Sequence, residues 1–160
     1  MLNPLIRTAV HILALMCLVA SAQAKVSIGH PAPDFKALDT NGNTQSLQDY
    51  RGKTVVLEWT NHDCPYVRKH YSADNMQSQQ REASADGVVW LSIISSAPGK
   101  QGFVSAQQAN RLTRDRHAAP SAVILDSEGA IGRLYDARTT PHMFVIDAEG
   151  DLAYKGGIDS

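Results

Sequence analysis

Two runs dense in branched apolar residues, Thr54 to Trp59 and Val88 to Ser95, bracket a stretch of helical pattern, and this arrangement constrains the fold more than any other feature of the chain. Short apolar runs without apolar–polar alternation read as strands buried on both faces, as in the middle of a sheet. From Cys64 to about Ala85 the pattern is helical, with Ser72-Ala73-Asp74-Asn75 as a break or restart and Gly87 as a stop. Ser96 to Gly102 reads as a loop, and Ser105 with Gln108 forms a capping box opening a helix to about Arg116. Ala122 to Leu125 is a third strand, and helical signals recur from Gly129 to Tyr135. Met143 to Asp147 and Leu152 to Lys155, joined by Ala148-Glu149-Gly150, form a terminal hairpin. Ahead of all this, Phe35–Leu38 and Thr44–Leu47 flank the turn Asp39–Gly42 and read as an N-terminal β-hairpin added to the domain. The sum is an α/β domain with parallel and antiparallel pairing.

The first 24 residues read differently. Arg7 precedes an apolar core from Ile12 to Ala20 and the small-residue pattern Ala22-Gln23-Ala24, so residues 1–24 are expected to be a secretory signal peptide cleaved before Lys25. The apolar run is shorter than the roughly 20 residues a spanning helix needs. Residues 25–160 then form one domain, periplasmic or secreted, with no membrane span after cleavage. A formal net charge of −1 excludes a nucleic-acid binder by charge. Of the two cysteines, Cys17 leaves with the leader, and Cys64 remains alone in a compartment where disulfides normally form. A lone thiol there is either buried and inert or exposed and reactive.

Cys64 stands where the strand Thr54–Trp59 gives way to a helix start, within Asn61-His62-Asp63-Cys64-Pro65-Tyr66-Val67. A sulfur at a first helical turn feels the positive end of the helix dipole and accepts from unpaired backbone N–H groups, which favours the thiolate. Pro65 suits that first turn. Arg68 and Lys69 add positive potential, and Asp63 opposes it. His62, His70 and His142 suggest a copper or zinc site, but their spacing is not that of a metal motif, so they are expected to be exposed polar residues around a groove. No metal and no organic cofactor is implied. Trp59 is expected in the core or at its rim.

Taken in order, Gly29-His30-Pro31-Ala32-Pro33-Asp34-Phe35, Ser46 to Lys53, Trp59 followed by Cys64-Pro65, and Thr140-Pro141 before a strand resemble the thioredoxin-like superfamily. Within it they resemble the redoxin branch that holds the alkyl hydroperoxide reductase/thiol-specific antioxidant (AhpC/TSA) proteins. The resemblance implies a thioredoxin-like fold, a central mixed β-sheet flanked by helices, with the reactive cysteine opening the first main helix. It also implies a cis Thr140–Pro141 bond facing Cys64, where the two residues position a substrate. Arg138, just before, is either placed to reach the thiolate or an oxidised sulfur or is a surface cation, and the Ser95–Gly99 loop is placed by analogy of fold to line the site.

The chain departs from the pattern in three places. Val67 stands where a thioredoxin has its second cysteine, so a mixed disulfide at Cys64 needs an external thiol. Leu57 and Asn61 stand where peroxiredoxins carry a proline and a hydroxyl, which leaves Asn61 to hydrogen-bond a peroxide oxygen. The given sequence ends at Gly157-Ile158-Asp159-Ser160, where relatives continue into a helix; the expectation is a missing C-terminal helix, with either a truncated sequence or a sheet face covered by a homo- or hetero-oligomeric partner. The function implied is a single-cysteine thiol oxidoreductase or peroxidase acting on peroxide or disulfide. The alternatives are a non-catalytic peptide-binding module and a copper-delivery protein.

Overall fold

The computed structural model describes residues 26–159. The expected signal peptide, residues 1–24, and Cys17 with it lie outside the described residues. The elements are β1 (Lys36–Leu38), β2 (Thr44–Ser46), a 3-10 turn (Leu47–Tyr50), β3 (Val55–Trp59), α1 (Pro65–Ser72), α2 (Asn75–Ala85), β4 (Val89–Ile94), α3 (Ala106–Asp115), β5 (Ala122–Leu125), α4 (Ala130–Leu134), β6 (His142–Ile146) and β7 (Leu152–Gly156). The main sheet runs β5-β4-β3-β6-β7. Strands β3, β4 and β5 are parallel, and β6 and β7 are antiparallel to their neighbours. This is the mixed sheet of a thioredoxin-like fold.

All five residues of β3 are buried, because layers cover both faces of the sheet. Val55, Leu57 and Trp59 point with Leu91, Ile93 and Phe144 into a core completed by Phe35 and Leu47 from the N-terminal segment and Tyr135 after α4. Trp59, Tyr135 and Phe144 pack with centroids 5.0–5.5 Å apart, Phe144 edge-to-face with both of the others, and the Tyr135 hydroxyl donates to the Pro33 carbonyl at 2.5 Å. On the other face Val56, Trp90 and Met143 meet Val67 and Tyr71 of α1 and Met76 of α2. Ala109 of α3 covers Ile94 and Val123. Each such side chain contributes about 1.5–3 kcal/mol by leaving water.

The hairpin is more than an addition to the domain. Asp39, 8% exposed, accepts from the backbone N–H groups of Asn41 and Asn43 at 2.8 and 2.9 Å and from the Gln45 amide at 2.9 Å. The Thr40 N–H donates to the Val123 carbonyl at 2.9 Å, so the hairpin turn caps the β5 edge of the sheet. Other boundaries follow the sequence signals. Ser105 and Gln108 make both bonds of the capping box, and the predicted break falls at Asp74, whose φ is 56°. No helix follows β7 among the described residues. Instead Ile158 packs against the Val56–Val67–Met143 cluster, and the Asp159 carboxylate lies 3.1 Å from Lys69 Nζ. That return leaves Met143 buried, while Tyr154 on β7 is exposed.

Candidate active site

β3 ends at Trp59 inside the core, and residues 60–63 carry the chain across the C-terminal end of the parallel strands. Cys64 is the N-cap of α1, with extended backbone and Pro65 in the first turn. Its N–H donates to the Asn61 carbonyl at 3.0 Å, and its own carbonyl accepts from Arg68 at 2.9 Å, so sequence-local bonds fix the sulfur's origin. From the other side β6 begins at His142, preceded by a cis Thr140–Pro141 peptide bond. Cys64 Sγ lies 3.1 Å from the Thr140 carbonyl oxygen. The sulfur is partly exposed and is the one free thiol among the described residues.

Burial raises the Cys64 thiol pKa, but opposing contacts win and the net shift is downward. The Thr140 side chain is the largest of these, followed by the backbone N–H groups of Val67 and Tyr66 at the helix start and by the charge of Arg68. The two Thr140 groups act in opposite senses. A thiol donates to the carbonyl, which favours the protonated form, whereas the hydroxyl can donate to the thiolate. The thiol is therefore held while neutral and stabilised once ionised.

The other predicted site residues divide. Thr140 meets Cys64, with Pro141 following it across the cis bond, and Pro65 stands in the first turn of α1. Asn61 lies on the approach, but its side chain is engaged: Oδ1 accepts from the Asp63 N–H at 2.9 Å, and Nδ2 faces the Gln101 carbonyl at 3.4 Å. The 96–102 loop folds onto this turn, and Gly102 (φ 82°) comes so close that a Cβ would overlap the Asn61 amide. Arg138 points away into an ion pair, its Nε 2.8 Å from Asp136 Oδ1. Tyr66 stands 69% exposed beside the thiol.

The expectation that the three histidines are exposed fails: His62 is half-buried, and the other two are inside the fold. His70 and His142 are buried, His70 against Asn75 at 2.9 Å and His142 against Phe144 with the Arg138 N–H pointing at Nδ1, 3.3 Å away. Burial, aided by Lys155, lowers the His142 pKa against the opposing charge of Asp136, so its ring is neutral. Among the described residues no three metal-binding side chains gather.

The sequence reading passed over Glu58, which is fully buried. Its carboxylate accepts from Tyr71 Oη at 2.8 Å, Trp90 Nε1 at 2.9 Å, Ser92 Oγ at 2.9 Å and Gln80 Nε2 at 3.1 Å. Burial and this carboxylate keep the Tyr71 phenol protonated. The network clamps α1 and α2 onto β3 and β4 directly behind the Cys64 turn. An acid inside Val55-Val56-Leu57-Glu58-Trp59 was the available signal, since a buried charge requires partners.

A sheet of this order, with a cysteine at the first helix N-cap facing a cis-proline, defines a thioredoxin-like protein. The chain matches the AhpC/TSA family over residues 28–155 and belongs to it. It is similar to the thiol-disulfide oxidoreductase ResA of Bacillus subtilis, 27% identical over 136 residues that cover 84% of this chain and 69% of that protein. It is also similar to the peroxiredoxin Bcp of the same organism, 26% identical over 79% of this chain and 82% of that one. Among solved structures it resembles the exposed lipoprotein thioredoxin Etrx1 of Streptococcus pneumoniae, with a TM-score of 0.63, 26% identity, and coverage of 80% of this chain and 92% of that one. No helix among the described residues is long and apolar enough to cross a membrane.

Proposed function

We propose that this protein is a thiol oxidoreductase that works through Cys64 alone, in the periplasm or outside the cell. The observation that carries the reading is the partly exposed Cys64 sulfur at a helix start, 3.1 Å from the Thr140 carbonyl beside cis-Pro141. The Cys64 thiolate attacks a disulfide sulfur, giving a mixed disulfide and releasing a thiolate, or attacks a peroxide oxygen, giving a sulfenic acid and releasing the remaining hydroxide or alkoxide. An external thiol then completes the cycle, because Val67 is a fully buried core residue where a resolving cysteine would stand. Exposed Tyr66 and half-buried Thr140, backed by buried Pro141, form the rim that a protein partner would meet. The names of the relatives, one an oxidoreductase and one a peroxiredoxin, support both substrates. With the Asn61 amide occupied by the 96–102 loop, disulfide is favoured over peroxide.

The test is the rate of Cys64 modification, read by intact mass, with a small disulfide and with hydrogen peroxide, each against free cysteine at the same pH. Faster reaction with disulfide, lost in Cys64→Ser, is the expected result. Rates like free cysteine for both oxidants would sink the proposal and favour a second reading, a peptide-binding module of thioredoxin fold. Val67 supports that alternative, and it requires that the Ser variant bind its clients as well as the wild type does.

A further inference from the structure

The flank of α1 that faces α3 holds an open cleft of about 420 Å³ lined by His62, Arg68, Tyr71, Gln77, Asp115 and Arg116, among others. Against its inner wall lies a second cavity of about 10 Å³, bordered by Thr60 and Ser92 and sharing His62, Tyr71 and Arg116 with the first. That is room for about one water molecule. Among the described residues, the buried side-chain polar atoms without a hydrogen-bond partner are Thr60 Oγ1, His62 Nδ1 and Gln77 Oε1. Every one belongs to a residue lining this pair of cavities. Buried polar atoms are normally paired with protein or with water, so their collection at one place marks a polar wall that can hold a bound partner.

The chemistry of these atoms defines what the wall can hold. Gln77 Nε2 donates to the Tyr71 and Arg116 carbonyls at 2.8 and 2.7 Å, so the amide orientation is fixed and Oε1 is an acceptor lacking a donor. His62 Nδ1, in the same pair of cavities, is a second buried polar atom without a partner. Asp115 at the rim brings a carboxylate acceptor. Facing them are two guanidinium groups. Arg116 is held 4.1 Å over the Tyr71 ring, with Nε directed to the Leu112 carbonyl at 3.3 Å, and Arg68 is exposed. Acceptors for a multi-donor cation beside forks for a carboxylate suit a head group carrying both charges.

We propose that this cleft binds the α-amino-acid head group of a small thiol or of its disulfide, presenting the sulfur to Cys64. The inference rests on the reading of Cys64 as the reactive thiol and names the class of its small external partner. Arg68 connects the two places. It lines the cleft, stands one helical turn beyond Cys64 (a rise of roughly 6 Å), and its charge acts on the Cys64 sulfur. In the exchange the Cys64 thiolate attacks one ligand sulfur, the ligand S–S bond breaks, and the Cys64–ligand disulfide forms. The other half of the ligand leaves as a thiolate that takes a solvent proton. A thiol of a different molecule then attacks the ligand sulfur of that mixed disulfide, forming a new disulfide with it as the Cys64–ligand bond breaks and the Cys64 thiolate is restored.

The experiment titrates the protein calorimetrically with S-methyl-L-cysteine, which has the head group but cannot exchange. Saturable binding is expected at millimolar ligand. It should weaken about tenfold or more, the loss of one charge-assisted contact, when the ligand amine is acetylated, when its carboxylate is esterified, or in Asp115→Asn. No binding, or equal binding of the acetylated ligand, overturns the proposal. Exchange of Cys64 with cystine is then compared with bis(2-hydroxyethyl) disulfide. Head-group binding with no preference for cystine overturns the coupling to Cys64 and leaves the cleft as a separate site. If neither disulfide reacts faster with Cys64 than with free cysteine, it is the reading of Cys64 that fails.

Discussion

Glu58 and Thr60 lie two residues apart and face the same side of the sheet, yet their surroundings are opposite. Glu58 is a buried acid with four donors converging on it, whereas the buried Thr60 hydroxyl has no partner. Tyr71 and Ser92 belong to both places: they donate to Glu58 and also line the small cavity beside Thr60. A satisfied buried network holds elements together, and an unsatisfied one beside a cleft is a place for something else. The boundary between scaffold and site therefore falls within one strand end, just before the Cys64 turn.

The largest test of the contrast is removal of the satisfied side. Glu58→Ala leaves several buried donors without an acceptor, at about 1–3 kcal/mol each, so urea unfolding should show a loss of at least about 3 kcal/mol. Glu58→Gln keeps one acceptor oxygen and should lose less. A drop under about 1 kcal/mol for the Ala variant would mean that water replaces the carboxylate and that the clamp does not hold α1.

Asp39 offers a second satisfied acid, at the hairpin instead of behind the thiol. Burial raises its pKa, but the hydrogen bonds from Asn43, Asn41 and Gln45 outweigh it and the net shift is downward. A carboxyl with a depressed folded pKa stabilises the protein above its unfolded value of about 3.9 and loses that contribution as pH falls through the folded value. Asp39→Asn should cost about 1–2 kcal/mol at neutral pH, and the gap to wild type should close in strongly acid solution. Urea midpoints at neutral and acid pH check this; a gap that does not narrow would show that the stabilisation is unrelated to the charge.

Much of this architecture was legible in the sequence, for identifiable reasons. The strand from Val55, the helix restart at Asp74, the Ser105 cap and the cysteine at the helix start each rest on local chemistry, which neighbours in sequence express. The cis bond before Pro141 followed from the resemblance. What was not legible depends on contacts between distant segments. The hairpin turn reaches Val123 across the fold, Arg138 turns to Asp136, and His70 and His142 lie buried where nothing in their own neighbourhoods signalled it. The cleft is the extreme case, because its lining comes from α1, α2, the end of α3 and the Cys64 turn at once.

At the thiol itself the expected effects are smaller and ordered. Thr140→Val removes the hydroxyl that can donate to the thiolate while leaving the backbone carbonyl at 3.1 Å in place, so the Cys64 pKa should rise. Arg68→Met should raise it less, since its charge is the weakest of the lowering influences. The pH dependence of iodoacetamide alkylation reads both. The reverse order would mean that long-range charge, and not hydrogen bonding at the cis-proline edge, controls the sulfur.

The smallest expected change is at Thr60, and it bears most directly on the comparison. A buried hydroxyl without a partner contributes no hydrogen bond to offset its loss of water, and valine has nearly the same shape. Thr60→Val should therefore leave stability unchanged or raise it by up to about 1 kcal/mol, unlike any change at Glu58. A loss of that size or more, measured by the same urea unfolding, would place a structural water in the small cavity as the hydroxyl's partner. The strand end would then be satisfied on both sides, and the orphan atoms of His62 and Gln77 would have to carry the case for a ligand alone.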